Sequence, residues 1–144
     1  MTEPRHGVVV LVVAAGGALG SLARWGVGDA LEAPRDGFPW ATLLVNVTGS
    51  FALGAMVVLV FTRRPGSRLV RPFAGVGVLG GYTTVSAYMA ETRSLLVADR
   101  VGAAAAYVVG TVLVGLLAVW VGMALARLVL SGPEPPLPDP GEPL

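Results

Sequence analysis

Thr42, Asn46 and Ser50 recur at four-residue spacing inside an otherwise apolar stretch. On a helix that spacing puts all three on one face. Their chemistry is hydrogen bonding without charge, since an asparagine amide carries two donors and an acceptor and a hydroxyl carries one donor and two lone pairs. Tyr107 and Thr111 repeat the spacing, with Gly115 one turn further on. Between the two sets lies Gly80-Gly81-Tyr82-Thr83-Thr84-Val85-Ser86-Ala87-Tyr88. Two glycines followed by two threonines weaken a helix and free backbone groups, which in hydrocarbon must face other protein or a water-filled cavity. A broken helix at membrane depth points to an ion or solute site. Val85 and Tyr88 share a face just after the break, and the positive edge of an aromatic ring can meet an anion.

Each of these residues also has a plainer reading. Thr42, Asn46 and Ser50, with Gly49 and Gly54, serve as interhelical glue, and spacing alone favours glue over a solute pathway. Gly102, Ala106, Gly110 and Gly115 support a small-residue packing seam around Tyr107 and Thr111, which spacing again favours. Tyr88 by itself reads as core or lipid contact. Arg24 either snorkels toward the interface or holds a protein carbonyl or carboxylate. Glu91 pairs with an arginine, caps a pathway, or is an ordinary interfacial carboxylate. Gly16, Gly17 and Gly20 let another helix approach closely.

The elements that must position these groups are legible in the uncharged runs. The chain has 144 residues, 54% hydrophobic and 13% charged, against about 25% charged in soluble domains. Uncharged stretches cover Gly7 to Ala23, Gly37 to Thr62, Pro72 to Ala90 and Val101 to Ala126. About 20 apolar residues cross a bilayer as a helix. The sequence therefore predicts an all-α integral membrane protein with four spans, near 8–28, 40–62, 70–96 and 101–130, the third broken near its middle. The first run is read as a retained span rather than a signal peptide. Residues 1–130 form one membrane unit, and 131–144 read as a disordered proline-rich acidic tail. Arg5, Arg63, Arg64, Arg68, Arg71 and Arg127 fall on one side of this arrangement, and Arg35, Arg93 and Arg100 on the other. That asymmetry predicts cytoplasmic termini in a multi-pass protein of the inner (plasma) membrane.

Several functions are disfavoured. A net charge of +1 makes nucleic acid an unsuitable partner. The absence of cysteine and the single histidine, His6, leave no thiol chemistry and no histidine-based triad or metal cluster, so an enzyme is not expected. A four-span exporter of cationic drugs needs a buried acid, and none lies in the middle of a span. A non-transporting membrane scaffold explains the small-residue seams but not Asn46 and the helix break together.

With these motifs in place the chain resembles the CrcB/Fluc family of small fluoride channels. The likeness rests on Gly16-Gly17-Ala18-Leu19-Gly20-Ser21-Leu22-Ala23-Arg24, on Thr42-Leu43-Leu44-Val45-Asn46-Val47-Thr48-Gly49-Ser50-Phe51-Ala52-Leu53-Gly54, and on Gly80-Gly81-Tyr82-Thr83-Thr84-Val85-Ser86. The resemblance implies an antiparallel, dual-topology-type dimer with two fluoride pores in the lipid membrane. It implies that Asn46 donates to fluoride, and that Tyr107 and Thr111 line a polar track. It also implies that the Gly80 and Thr83 carbonyls hold a structural sodium ion (Na+). Val85 and Tyr88 stand where the family usually has two phenylalanines, and Gly115 where a serine often continues the track. The dimer implied is a homodimer or a heterodimer with a second homologous subunit, and the missing ring at Val85, with the arginine asymmetry, favours the heterodimer.

Overall fold

Apolar segments settle as helices in a bilayer because each backbone N–H and C=O is then paired within its own segment. The computed structural model describes residues 6–31, 37–63 and 69–130. The expected tail and Arg5, Arg35, Arg64 and Arg68 lie outside the described residues. Helix α1 spans His6–Ala30 and α2 spans Trp40–Arg63. A π-helical segment, Arg71–Leu79, passes directly into one turn of α-helix, α3, Gly80–Tyr82. After Thr83 and Thr84, α4 spans Val85–Val97, and α5 spans Val101–Leu130. The described residues form no strand.

Three stretches, His6–Ala30, Trp40–Val60 and Val101–Leu130, are long and apolar enough to cross a membrane, the shortest having 21 residues. At 1.5 Å per residue that one extends about 31 Å, close to the hydrocarbon thickness of about 30 Å. Residues 70–96 are built in pieces instead, none of them that long. The helices leave large apolar side chains such as Leu11, Trp25, Leu116 and Leu128 exposed. Apolar residues all round a helix suit a lipid surrounding.

The contacts resolve into two helix pairs, α1 with the π-helical segment and α3, and α2 with α5. Glycines bring the backbones together. A Cβ on Gly16 would lie 3.0 Å from the Gly77 Cα, one on Gly20 would run into the Val78 carbonyl, and one on Gly81 into the Gly17 carbonyl. Between α2 and α5, a Cβ on Gly54 would meet the Val119 carbonyl and one on Gly122 the Phe51 carbonyl. Small residues of this kind let membrane helices pack by dispersion where no hydrophobic force drives them together.

Of the expected α5 seam, Gly115 does pack against α2, where a Cβ would stand 3.6 Å from Ser50 Oγ, but the rest does not. Gly102 and Gly110 face open space and Ala106 is exposed. The stripe that is buried runs through Ala104, Tyr107, Gly122 and Ala126. Residues 106 and 110 sit one position, about 100°, away from Tyr107 and Thr111.

These contacts also set direction. Partner numbers rise together in both pairs, from Gly16 with Phe73 to Arg24 with Thr83, and from Ser50 with Gly115 to Gly54 with Val119. Both pairs therefore run parallel. Thr42 meets Glu91 and Asn46 meets Thr84, so α4 runs opposite to α2. The segment from Arg71 to Val97 thus carries the chain back along the length of the bundle before α5 begins. A three-residue connection, Ala98 to Arg100, reverses it. Arg100 N–H donates to Leu95 O at 2.9 Å and Asp99 N–H to Leu96 O at 3.1 Å, with Asp99 at φ 57°. This is the Schellman ending, in which a left-handed residue closes the last helical turn.

Candidate functional site

The break in the third segment is an arrangement of hydrogen bonds. Gly80 stays helical, at φ −67° and ψ −33°, whereas Thr83 (φ −75°, ψ 157°) and Thr84 (φ −149°, ψ 127°) are extended. The chain therefore leaves the helix after the glycines, at the threonines, whose side chains offer the backbone alternative partners. Thr83 Oγ1 donates to Leu79 O at 2.9 Å, and Ala87 N–H donates to Thr84 Oγ1 at 3.2 Å, capping α4. Asn46 reads the break from both sides: its Nδ2 donates to Thr84 O at 3.0 Å, and Thr84 N–H donates to its Oδ1 at 2.9 Å. In an unbroken helix the amides of Thr84 and Ala87 would bond the carbonyls of Gly80 and Thr83. Both amides are diverted to side chains, so those two carbonyls lose their helical donors. Arg24 donates to Thr83 O at 3.4 Å and Ser21 to Gly81 O at 3.5 Å, so α1 holds the break from the other side.

Alongside the break runs an open cleft of about 480 Å³. Asn46, Ser50, Val85, Tyr88 and Thr111, five of the seven residues expected on an anion path, line it, together with Gly80 and Thr83. Among the described residues, none that lines the cleft is charged. Asn46 spends one N–H on Thr84 O, and an amide nitrogen has two. Thr111 Oγ1 is buried and has no hydrogen-bond partner among the described residues. A buried polar atom without a partner is uncommon and calls for an explanation such as a ligand or ordered water. A Cβ on Gly115 would stand 3.6 Å from Ser50 Oγ. Val85 is 70% exposed at the mouth of the cleft. The Tyr88 hydroxyl donates to Val108 O at 3.2 Å, which ties its ring to α5.

Thr42 and Tyr107, the remaining two, form a separate cluster with Glu91. Thr42 Oγ1 donates to Glu91 Oε1 and Tyr107 Oη to Glu91 Oε2, each at 2.7 Å. Tyr107 is wholly buried, at 0% exposure. The Tyr88 ring lies 5.2 Å from the Tyr107 ring and so joins the cluster to the cleft. Glu91 is thus held by hydroxyls, at the spacing charge-assisted hydrogen bonds adopt.

The family model described as CrcB-like protein, Camphor Resistance (CrcB), matches residues 11–123. This chain belongs to the CrcB family. Among curated relatives, the fluoride-specific ion channel FluC 1 of Streptomyces coelicolor is 45% identical over 123 residues, 85% of this chain and 80% of the relative. The fluoride-specific ion channel FluC 2 of Nocardia farcinica is 45% identical over 124 residues, 86% of this chain and 89% of the relative. The fluoride-specific ion channel FluC of Rhizobium meliloti is 43% identical over 122 residues, 84% of this chain and 98% of the relative.

In this CrcB chain the sequence reading missed two features of the site. Thr84 supplies the amide and carbonyl that Asn46 holds. Its position just before an apolar helical run, where threonine is a favoured N-cap, is the signal that marks it. The pairing of Glu91 with Thr42 and Tyr107 has no such signal, because it joins three elements whose relative register no local pattern encodes.

Proposed function

We propose that this chain is a subunit of a passive fluoride channel that lets the ion leave the cytoplasm. The carrying observation is the cleft, whose polar lining of Asn46, Ser50, Tyr88 and Thr111 contains no charged side chain. Fluoride is small and tightly hydrated, so a pore must replace its water with donors. Conduction also requires binding weak enough to release the ion. Neutral donors meet both needs, where an arginine in the same place would trap it. The free N–H of Asn46 and the Thr111 hydroxyl act as donors, and the Tyr88 ring offers its edge. Tyr107 and Thr42 take the ion next, once the Glu91 carboxylate gives up the two hydroxyls that it accepts from.

The parallel pairing of α1 with the third segment, and of α2 with α5, supports four crossings, the third carried by residues 70–96. The termini lie in the cytoplasm, as the arginine distribution favours, in the plasma membrane. A structural sodium ion fits the break. The Gly80 and Thr83 carbonyls have lost their helical donors, and neutral oxygen ligands suit a hard cation. When bound, the ion neutralises carbonyl dipoles at the helix break. Two carbonyls make a partial ligand set, which a second chain packed antiparallel across the cleft completes. That chain is a homologous subunit rather than a copy, because Val85 offers no aromatic edge to a fluoride path.

The test is fluoride efflux from vesicles loaded with potassium fluoride, read with a fluoride electrode, for this chain alone and with its homologous subunit. Efflux with the subunit present, and chloride retained, is the expected result. Efflux absent in both preparations overturns the channel reading, and full efflux from this chain alone overturns the heterodimer.

A further inference from the structure

The row of donors stops short of the end of the bundle. On each of the three elements that build the Glu91 cluster, the next position outward is apolar. On α4 it is Leu95, four residues after Glu91; on α5 it is Ala104, three before Tyr107; ahead of α2 it is Phe38, four before Thr42. Because α4 runs opposite to α2 and α5, a step forward on α4 and steps back on the other two lead to the same end. Leu95 is 4% exposed and Ala104 2%, and both share one buried cluster with Tyr107. The Phe38 ring packs against that cluster, 5.5 Å from the Tyr107 ring and edge-on to it at 81°. Trp40 backs Phe38 with a ring separation of 4.6 Å.

We propose that Phe38, Leu95 and Ala104 form an apolar collar that closes the Tyr107 end of the ion path and sets its conductance. This rests on the reading of the cleft as a fluoride pathway. The polar atoms of Thr42, Tyr107 and Glu91 are bonded to one another. Beyond them an ion crosses about one helical turn, roughly 5 Å, with no side-chain donor from the collar. An apolar constriction of this kind excludes water and resists an ion by dewetting. The collar is therefore the step at which fluoride has shed its protein donors and not yet regained water. The identity of Leu95 and Phe38 governs the crossing of that step, whereas Asn46 and Thr111 govern how readily fluoride reaches it.

The experiment is initial fluoride efflux from vesicles holding this chain and any subunit it requires, with assembly checked by size-exclusion profile. Leu95→Asn keeps the volume nearly constant and admits water, and Phe38→Ala removes the ring. Each is expected to raise efflux about tenfold, a change of about 1.4 kcal/mol in the barrier. Ala104→Leu tightens the collar and is expected to lower efflux by about the same factor. A structural role alone predicts that all three variants lower efflux together, and that outcome overturns the collar. Unchanged efflux in the assembled variants overturns it as well. If Leu95→Asn fails to assemble, the opposite signs expected for Phe38→Ala and Ala104→Leu decide the matter. A parent protein that passes no fluoride removes the pathway reading, and the collar with it, before any variant is compared.

Discussion

Replacing Asn46 with alanine removes both side-chain bonds that hold the helix break, at 2.9 and 3.0 Å to the Thr84 amide and carbonyl. Side-chain hydrogen bonds between membrane helices contribute about 0.6 kcal/mol on average and up to about 1.7. Two of them place the expected destabilisation at about 1–3 kcal/mol. With Asn46 gone, the Thr84 amide is free to return to the Gly80 carbonyl, and the break can close toward a continuous helix. Asn46→Asp separates the two bonds. One carboxylate oxygen still accepts from the Thr84 amide, but the other then faces the Thr84 carbonyl, so its stability should be no better than that of the alanine variant. SDS unfolding followed by tryptophan fluorescence measures the stability, and fluoride efflux from vesicles measures the path. Efflux is expected to fall at least about tenfold in both variants, or about 1.4 kcal/mol in barrier. An Asn46→Ala protein with the parent's unfolding midpoint and the parent's efflux would refute the role assigned to the break.

Gly20→Val pushes a side chain into the Val78 carbonyl, and overpacking of this kind costs about 1–3 kcal/mol; SDS unfolding should show the loss, while Gly102→Val, in open space, should leave the midpoint in place. Tyr88→Phe gives up only the hydroxyl bond to Val108 O and should reduce efflux modestly, whereas Tyr88→Ala also removes the ring edge and should abolish most of it. Among the described residues a Cβ on Gly80 would meet Gly75 O at 3.9 Å and nothing closer, so Gly80→Val should leave the folded subunit intact but block subunit pairing and sodium retention at the break. Size-exclusion profiles in sodium and in N-methylglucamine check this, and unchanged pairing in both would remove the sodium proposal.

Local spacing showed which residues share a helix face, not that faces of three helices meet in one cleft or that Thr42 and Tyr107 lie apart from it. Asn46 and Ser50 are one helical turn apart on α2, Val85 and Tyr88 nearly one turn apart on α4, and those intervals fix a shared face whatever the tertiary structure. The glycines of α1 were equally legible, since Gly16 and Gly20 follow the same ridge and meet the third segment backbone to backbone. The point at which the helix breaks was not. Glycine weakens a helix, but Gly81 is needed for its contact with Gly17, and the break falls on threonines because Asn46 comes from another helix to take up the freed amide. The π-helical run of Arg71–Leu79 carries no local signature either. The register of α4 against α2 and α5 is set by the three-residue reversal from Ala98 to Arg100, and only that register brings Glu91 between Thr42 and Tyr107.

Thr111 offers the most direct test of the central claim, that uncharged donors in the cleft carry the ion. Its hydroxyl is buried and bonded to nothing among the described residues, so Thr111→Val keeps the shape, breaks no hydrogen bond among them and relieves a buried group that lacks a partner. The measurement is fluoride efflux from vesicles holding the Thr111→Val chain and any subunit it requires, beside its SDS-unfolding midpoint. A midpoint equal to or above the parent's, with efflux lowered at least about tenfold, is expected. Equal stability with efflux at the parent's rate would contradict the claim.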